Sequence, residues 1–518
     1  MEKNTLLAVI LSLFVLIGWS FLAQKNTVPQ NTGPAEEAPL KQEQTSAAVQ
    51  EQPPVQKSIE PVAVIDPAGN GDDIVVETDL YRAVFSTRGA IIKYWELKNF
   101  NPDGTAVVLL KEPGTIPALG IILDGLDRNL PQKLIYRANT DKLVLSEGGK
   151  KDGELIFEYN NSGTVIRKKL VFYNDRFKVD LSIDTVNTPP YSLAIGTDFG
   201  VTNKEQREHK GPVLLANDDR EEFDEGLEGT ESFTGHISWI AQEDKYFTAA
   251  LLPVTPVEGA TVWKEMNSAE IALKLAPQKN EFIFYAGPKE YDRLKGFNVG
   301  LEHIIDFGWF SIVAMPLFWV LKFFYSFLGN YGWSIVLLTI VTRIPFIPLM
   351  HKSQQSMKKM SKIQPMMAEI KEKYKNDAQK QQKEMMGLYK KHKVNPIGGC
   401  LPMFLQIPVF IALYNVLLNA IELRGAPFIF WITDLAVKDP YYILPVVMGA
   451  TMVLQQKMTP TAMDPKQAKM MMFMPVVFTF MFLTFASGLV VYWLINNILG
   501  IAQQYWANTR PEKAEAKG

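Results

Sequence analysis

Apolar residues follow two different patterns along this 518-residue chain. Between residues 73 and 300 they alternate with polar ones, as in the run FKVDLSID at 177–184, where every second residue is apolar. Period-two alternation predicts half-buried strands, and turn signals at Asn161 to Gly163 and at Asn174 bracket one of them, Thr164 to Tyr173. Many such runs predict one large antiparallel β-sandwich over 73–300. Since it carries no nucleophile motif, Gly-rich phosphate loop or metal spacing, we interpret it as a binding or spacer domain.

The chain begins with an apolar run of 19 residues, Thr5 to Ala23, that contains no charge. Its length suits a bilayer span, whereas a cleaved signal peptide has an apolar region of about 7 to 15 residues and a small-x-small site. Because Ser20 to Ala23 fit such a site poorly, we expect an uncleaved transmembrane anchor over residues 1–23. Residues 24–72 are rich in Pro, Gln, Glu, Ala and Thr, which predicts a disordered linker.

The second half contains longer apolar runs, and a lysine-rich segment indicates their orientation. From His351 to Cys400, twelve lysines minus four acidic residues give a formal charge of +8. Lysine-rich loops remain in the cytoplasm, so only one of the two preceding apolar runs can cross the membrane. Trp309 to Leu328, interrupted by Pro316 and Lys322, is therefore interpreted as an amphipathic helix in the outer interface, within residues 301–330.

Counting from that loop predicts six transmembrane helices with both termini inside. The predicted spans are the anchor, Trp333 to Met350, Leu401 to Ala420, Tyr441 to Gln455, Met470 to Phe485 and Leu489 to Tyr505. Residues 331–508 then form a five-helix membrane core that includes a helical hairpin at 351–395, and 509–518 form a cytoplasmic tail. The predicted fold class is a membrane α-helical protein with an all-β external domain.

Several polar residues fall inside the predicted spans: Thr339, Thr342, Arg343, Gln406, Asn415, Asn419, Asn496 and Asn497. Such groups either join helices by hydrogen bonds or line a watery cavity, and the pattern leaves both possibilities open. Arg343 could snorkel to the cytoplasmic headgroups. Thr339, one turn earlier on the same face, and the prolines that follow Arg343 favour a hydrated pocket instead.

The composition further limits the binding partners and metal sites that the chain can have. The net charge of -2 gives no field that would attract nucleic acid, and the single cysteine, Cys400, excludes disulfides and Cys-based metal sites. Five scattered histidines argue against a His-metal site. The hairpin alternates Met and Ile with lysine at helical spacing. It is either a solvated charged loop or a surface for apolar partners whose lysines face anionic headgroups or ribosomal RNA.

Three runs carry a resemblance to a known family. They are KVNPIGGCLPMFLQIPVFIALYNVL (Lys393 to Leu417), APFIFWITDLAVKDPYYILPVVMGATM (Ala426 to Met452) and FASGLVVYWLINNILGIAQQ (Phe485 to Gln504). They resemble the YidC/Oxa/Alb family of membrane protein insertases, and the external β-domain resembles the Gram-negative type with its large periplasmic domain. The resemblance implies a non-enzymatic insertase and chaperone of the bacterial inner membrane. It would insert newly made proteins through a hydrophilic groove open to cytoplasm and lipid, without nucleotide, metal or cofactor.

The resemblance also implies which residues form the substrate groove and which partners the protein binds. The residues assigned to the substrate groove are Arg343, Thr339, Phe410, Met448, Met481, Tyr492 and Trp493. Where a relative has two tyrosines this chain has Tyr492 and Trp493, which leaves an aromatic role possible at 493 but not a hydroxyl-specific one. The implied partners are nascent membrane proteins, the Sec translocon, membrane lipids, and the ribosome and signal-recognition machinery through the basic loop and tail.

Two other functions are alternatives to an insertase. A small-solute transporter would commonly show internal repeats or broken helices around a midplane site. We find no repeat, and no acidic residue within the spans to couple with Arg343. An enzyme of envelope glycans in the β-domain would be supported if residues 74–300 alone acted on cell-wall sugars.

Overall fold

The computed structural model describes residues 71–98, 100, 104–126, 130–201, 210–394, 401–459 and 465–509. The predicted anchor at 1–23, the linker up to residue 70 and the tail from residue 510 lie outside this part of the chain. Two compact units are present. The first comprises the chain up to Glu96 together with Val108–Ala286, and the second comprises Leu97–Val107 and the chain from Gly287 onward.

Nineteen strands in three sheets are formed by the described residues between 73 and 288. The first sheet contains β1 (Asp73–Glu77), β2 (Tyr81–Ser86), β3 (Ile91–Leu97), β4 (Val107–Leu110) and β7 (Lys142–Val144). The second contains β6 (Arg137–Ala138), β8 (Asp152–Asn161), β9 (Thr164–Tyr173), β10 (Lys178–Val186), β12 (Gly211–Ala216), β13 (Asp219–Glu222), β15 (Ile237–Glu243), β16 (Phe247–Pro253) and β19 (Asn280–Pro288). The third contains β5 (Ile121–Leu123), β11 (Tyr191–Ala194), β14 (Thr230–Phe233), β17 (Gly259–Glu265) and β18 (Ser268–Leu275). A short helix, α1 (Leu130–Lys133), precedes β6.

The alternation predicted for the strands is confirmed in β10, whose burial pattern alternates along its length. The first two sheets pack face to face through aromatic rings. Phe85 of β2 lies 5.7 Å from Phe172 of β9, and Trp95 of β3 lies 5.7 Å from Phe284 of β19, between ring centroids. This face-to-face packing places the aromatic core of the unit between two sheets.

The prediction of a purely antiparallel domain is wrong at one pair of strands. β7 pairs with β1 in the parallel sense, with Val75 opposite Lys142. A parallel pair needs a long connection rather than a tight turn. Here the chain between the two strands passes through the five strands β2 to β6 and through α1, so β7 returns to the free edge of β1 running in the same direction.

The second unit is helical. Its helices are α2 (Tyr291–Lys295), α3 (Ser311–Leu328), α4 (Tyr331–Arg343), α5 (Ile347–Lys373), α6 (Ala378–Lys391), α7 (Leu401–Asn419), α8 (Ile443–Met458), α9 (Pro465–Phe482) and α10 (Ser487–Thr509). By length and hydropathy, Ser311–Leu328 and the stretch Tyr331–Lys373 could each cross a membrane, and Gln406–Asn419 and Met471–Phe482 are shorter apolar helices. The six-span count and the interfacial position of α3 stay predictions.

The span predicted at Trp333 to Met350 continues directly into the hairpin. Only one 3-10 turn, Ile344–Phe346, separates α4 from α5. Pro345 lies within that turn, and Pro348 lies at the start of α5. Proline is tolerated in the first turn of a helix because the N–H it lacks would have no partner there. The two prolines therefore restart the helix and do not end it.

The hairpin of α5 and α6 has a small core of its own. That core consists of Ile363, Met367 and Val394, with Met360, Met385, Leu388 and Tyr389 packed against it. The interpretation of a methionine face left free for partners is therefore wrong for these three methionines, because each helix of the hairpin covers the other. Met366 and Met386 remain 41% and 51% exposed.

Two contacts fix the start of the second unit to α3. The ammonium of Lys322 pairs with the carboxylate of Asp292 in α2. The ring of Tyr291, also in α2, lies 5.6 Å from that of Phe318. Lys322, which interrupts the apolar run in the sequence, thus has a specific partner.

Two asparagines of α7 fix the segment just before α3. Asn415 Nδ2 donates to the carbonyl of Phe307 at 2.8 Å, and Asn419 Nδ2 donates to that of Asp306 at 2.7 Å. The sequence left helix-to-helix bonds and a watery cavity as alternatives for these residues. The structure shows a third role, since they satisfy backbone carbonyls of an irregular segment that has no helical partners.

Candidate functional site

Arg343 ends α4 with its guanidinium turned into the helical unit. Its Nη1 donates to the Asn496 backbone carbonyl and, at 2.8 Å, to Asn496 Oδ1 on α10. Gln406 Nε2 of α7 lies 3.4 Å from the same Oδ1. Arg343 is only 8% exposed, and its Nε has no hydrogen-bond partner in the described part of the chain. The side chain therefore lies between helices, which differs from the snorkelling alternative.

A polar stripe runs along α10 on the side of Arg343. It consists of Tyr492, Asn496, Gly500 and Gln504, which are spaced by four residues and so share one face of the helix. A Cβ at Gly500 would lie 3.2 Å from Arg343 Nη2 and 2.6 Å from Nε2 of Gln455 on α8. The absence of a side chain at 500 thus lets polar groups of α4 and α8 meet against α10.

The stripe ends at the base of the hairpin. Gln354 Nε2 of α5 donates to Gln504 Oε1 at 3.0 Å, and both side chains are 5% exposed. About one turn beyond, Lys358 Nζ donates to the carbonyl of Ala507 at 2.5 Å. These bonds hold the first helix of the hairpin to the last helix of the unit.

An aromatic cluster lies beside the stripe. Its centre is Trp493 of α10, whose ring lies 4.9 Å from Phe410 of α7 and 5.9 Å and 5.1 Å from Phe478 and Phe482 of α9. The Tyr492 ring stacks 6.4 Å from Phe410. Three of the seven residues assigned to the groove from sequence, Phe410, Tyr492 and Trp493, are therefore in mutual contact.

The other assigned residues make no hydrogen bond with Arg343 in the described part of the chain. Thr339 is buried, and its hydroxyl donates to the Ile335 carbonyl of its own helix at 2.6 Å. Met448 of α8 is fully buried, whereas Met481, near the end of α9, is 43% exposed. Among the described residues, none of these three shares a hydrogen bond with Arg343. Their assignment to the groove stays a prediction.

Sequence reasoning did not assign Asn496, Gln455, Gly500, Gln354 or Gln504 to the site. Asn496 was recognised as a polar residue within a span, but not as the partner of Arg343. The spacing of Asn496, Gly500 and Gln504 at i, i+4 and i+8 was a usable signal, because it places small and polar groups on one face of an apolar helix.

The chain matches two family models. The description "YidC periplasmic domain" matches residues 73–320, and "60Kd inner membrane protein" matches residues 323–514. The two matches meet within α3, so the β-rich unit falls in the first and the polar stripe and aromatic cluster in the second.

Relatives match the chain over nearly its whole length. A protein of Geotalea uraniireducens named membrane protein insertase YidC is 42% identical over 98% of this chain and 99% of its own. One of the same name from Geobacter metallireducens is 39% identical over 100% of both chains. A solved structure described as an active YidC insertase crystal structure is 20% identical, covering 86% of this chain and 95% of its own, with a TM-score of 0.39.

Proposed function

The chain belongs to the family of the membrane protein insertase YidC, and on that premise we propose that the polar stripe and the aromatic cluster form its substrate groove. Members of this family insert proteins into the membrane without enzymatic chemistry, and this chain includes their periplasmic domain. The task is therefore physical: to lower the free-energy barrier for moving a polar segment through hydrocarbon.

That barrier comes from lost hydration. An unpaired peptide group costs several kcal/mol in an apolar medium, and a charged side chain costs at least about 2.5 to 3.5 kcal/mol at the bilayer centre. A groove reduces the cost if it offers hydrogen-bond partners along the path. The observation that carries the proposal is the buried Arg343, which is held by Asn496 while its Nε has no hydrogen-bond partner among the described residues. Its guanidinium keeps its charge at any physiological pH, so it holds water or an anionic group nearby.

The aromatic cluster supplies the opposite property. Trp493 follows Tyr492 of the polar stripe directly in sequence, and the Phe410 ring contacts the rings of both residues. A substrate helix could rest its apolar face on these rings while its polar tail passes the guanidinium. Because lipid tails are as apolar as the rings, nothing would hold the finished helix there, and it would leave for the bilayer.

The finer features of the family are proposed for this chain on the charge pattern. Six spans, both termini in the cytoplasm and a periplasmic β-domain follow from the +8 charge of residues 351–400. The lysine-rich hairpin and the tail would meet the ribosome, the signal-recognition machinery and anionic lipid. Nascent membrane proteins are the substrates, and the Sec translocon is the proposed partner for those that need it. Arg343, Thr339, Phe410, Met448, Met481, Tyr492 and Trp493 remain the proposed groove residues.

Site-specific photocrosslinking tests the groove. A photoreactive amino acid at Phe410 should crosslink to a stalled nascent chain of a single-span substrate, at the residues of its emerging span. The matched control is Ile312 of α3, which is 84% exposed but lies outside the cluster. Crosslinks of equal yield at Ile312 and Phe410 would show that substrates follow the general lipid-facing surface and not the groove.

A further inference from the structure

A cleft opens in the β-rich unit, between residues of its first sheet, of α1 and of the loop that follows β4. It has a volume of about 410 Å³, and its polar lining includes Arg88, Lys93, Lys133, Ser86 and Gln132. Three of the lining side chains are cationic and no lining residue is a carboxylate. Pockets of about 300 to 1,000 Å³ are the size that binds small molecules. The charge of the lining favours an anion.

Arg88 is the informative residue of this cleft. Its backbone N–H is bound by Ser86 Oγ at 3.1 Å, but its guanidinium has no hydrogen bond or ion pair with any residue that the structure describes. Lys93 differs, because its ammonium pairs with Asp73 at 2.7 Å. A planar guanidinium offers two parallel N–H groups that match phosphate or carboxylate oxygens. Arg88 is half-buried in the cleft with that capacity unused.

The walls of the cleft are held from beneath by a buried lysine. Lys168 Nζ donates to the carbonyls of Ala90 at 2.8 Å and Leu119 at 2.7 Å. Both acceptor residues have left-handed backbone, with φ of 49° and 57°, a conformation that is unfavourable for a residue with a Cβ. Ala90 precedes the lining residue Ile91, and Leu119 follows the lining residue Pro117 by two positions.

The part of the cleft lining at Gln132 and Lys133 is joined to the part around Arg88 through Gly89. Its N–H donates to the Leu134 carbonyl at 2.8 Å, next to the lining residues Gln132 and Lys133. Gly89 has a φ of +78°, and a Cβ there would lie 3.1 Å from Gln132 Cα. Cationic side chains are thus carried by walls that are fixed to one another, as expected of a site formed before its ligand arrives.

We propose that this cleft binds a phosphorylated polyol, with Arg88 and Lys133 on the phosphate and Ser86 and Gln132 on the hydroxyl groups. Its volume exceeds that of a bare phosphate, and the hydroxyl and amide supply uncharged hydrogen-bonding groups beside the cations. Glycerol phosphate, a sugar phosphate and a glycerophospholipid headgroup share this chemistry. The described lining has neither carboxylate nor histidine, and the proposal concerns binding of the ligand alone.

Calorimetric titration of the full-length protein in phosphatidylcholine nanodiscs tests the proposal. The probes are glycerol 3-phosphate and glucose 6-phosphate, with glycerol and glucose as uncharged controls. We expect binding of the phosphorylated probes only. Arg88→Gln and, independently, Lys133→Gln should each weaken it at least about tenfold, since each removes a charge-assisted hydrogen bond to the phosphate. Arg88→Lys should fall between, and Lys150→Gln, an exposed lysine outside the cleft, should match the wild type.

A second arm separates the sources of the phosphate. In nanodiscs containing phosphatidylglycerol, weaker apparent binding of glycerol 3-phosphate would identify a lipid headgroup as the competing ligand, and unchanged binding would identify a soluble polyol phosphate. No binding of either phosphorylated probe, or equal binding in both glutamine variants and wild type, would overturn the proposal. Arg88→Gln should insert membrane proteins normally, so its outcome is independent of the proposed groove.

Discussion

The charge of Arg343 should decide how well substrates with acidic tails are inserted. The perturbation is a series of variants, Arg343→Lys, Arg343→Ala and Arg343→Glu. Each is tested with one single-span substrate whose translocated tail carries either two Asp or two Asn residues. If the guanidinium recruits anionic groups into the groove, the variants should separate the two tails and not merely slow both.

The magnitude follows from the geometry. A tail carboxylate that comes within about 8 Å of the guanidinium gains about 2 kcal/mol at an effective dielectric of about 20, which is about 30-fold in an equilibrium constant. Loss of the side chain also leaves the Asn496 oxygens short of a donor, a cost of about 1 to 3 kcal/mol that both substrates share. The ratio of insertion of the acidic-tailed substrate to that of the neutral-tailed substrate isolates the attraction between the carboxylate and the guanidinium.

Protease protection of the tail, followed in cells depleted of their own insertase, measures that ratio. Arg343→Lys should keep most of the wild-type ratio because the charge remains. Arg343→Ala should lower it by about 10- to 30-fold, and Arg343→Glu should lower it further. Asn496→Ala is the matched control, since it removes the partner of the arginine but not its charge, and it should preserve the ratio. Equal insertion of both tails by Arg343→Glu and wild type would refute the electrostatic role.

Three further outcomes are expected. With Cys400 replaced, a cysteine at Ala378 should be shielded from an impermeant thiol reagent in spheroplasts and one at Gly163 labelled, because lysine-rich loops stay inside; the reverse would overturn the topology. Deleting most of Ile74 to Lys289 should leave insertion largely intact, whereas its loss from a protein still present in the membrane would show a role beyond docking. Burial raises the pKa of Glu270 from 4.5 to about 8. Its proton therefore contributes stability that is full below pH 4.5 and lost as the pH rises through about 8. Glu270→Gln should abolish that pH dependence in amide exchange of β18, measured on the full chain, and a dependence that persists would exclude Glu270 as its source.

The helices and strands could be predicted from the local sequence pattern, because interactions between neighbouring residues determine them. The span predicted from Leu401 to Ala420 is the helix Leu401–Asn419, and the strand predicted from Thr164 to Tyr173 is β9, because periodicity and turn residues act over a few neighbours. The roles of Asn415 and Asn419 could not be predicted in this way. Their acceptors lie 108 and 113 positions away in the chain, and nothing in either segment alone specifies the other.

In the candidate site too, local features could be predicted from the sequence and contacts between distant residues could not. The charge of Arg343 and its place in a helix followed from its sequence context, but its partner on α10 did not, since the two are 153 positions apart. In the hairpin, periodicity indicated which faces are apolar and left open what covers them. The structure shows that Met360, Met367 and Met385 cover one another across the hairpin.

The contacts that hold the segment before α3 have a mechanical consequence. Residues 291–307 are joined to the helical unit by an ion pair at Asp292, a ring contact at Tyr291 and two amide bonds at Asp306 and Phe307. Tension that reaches this stretch from the external domain would load these attachments before it reached α3. The helices around Arg343 would then be shielded from a pull that is transmitted through the chain before residue 291.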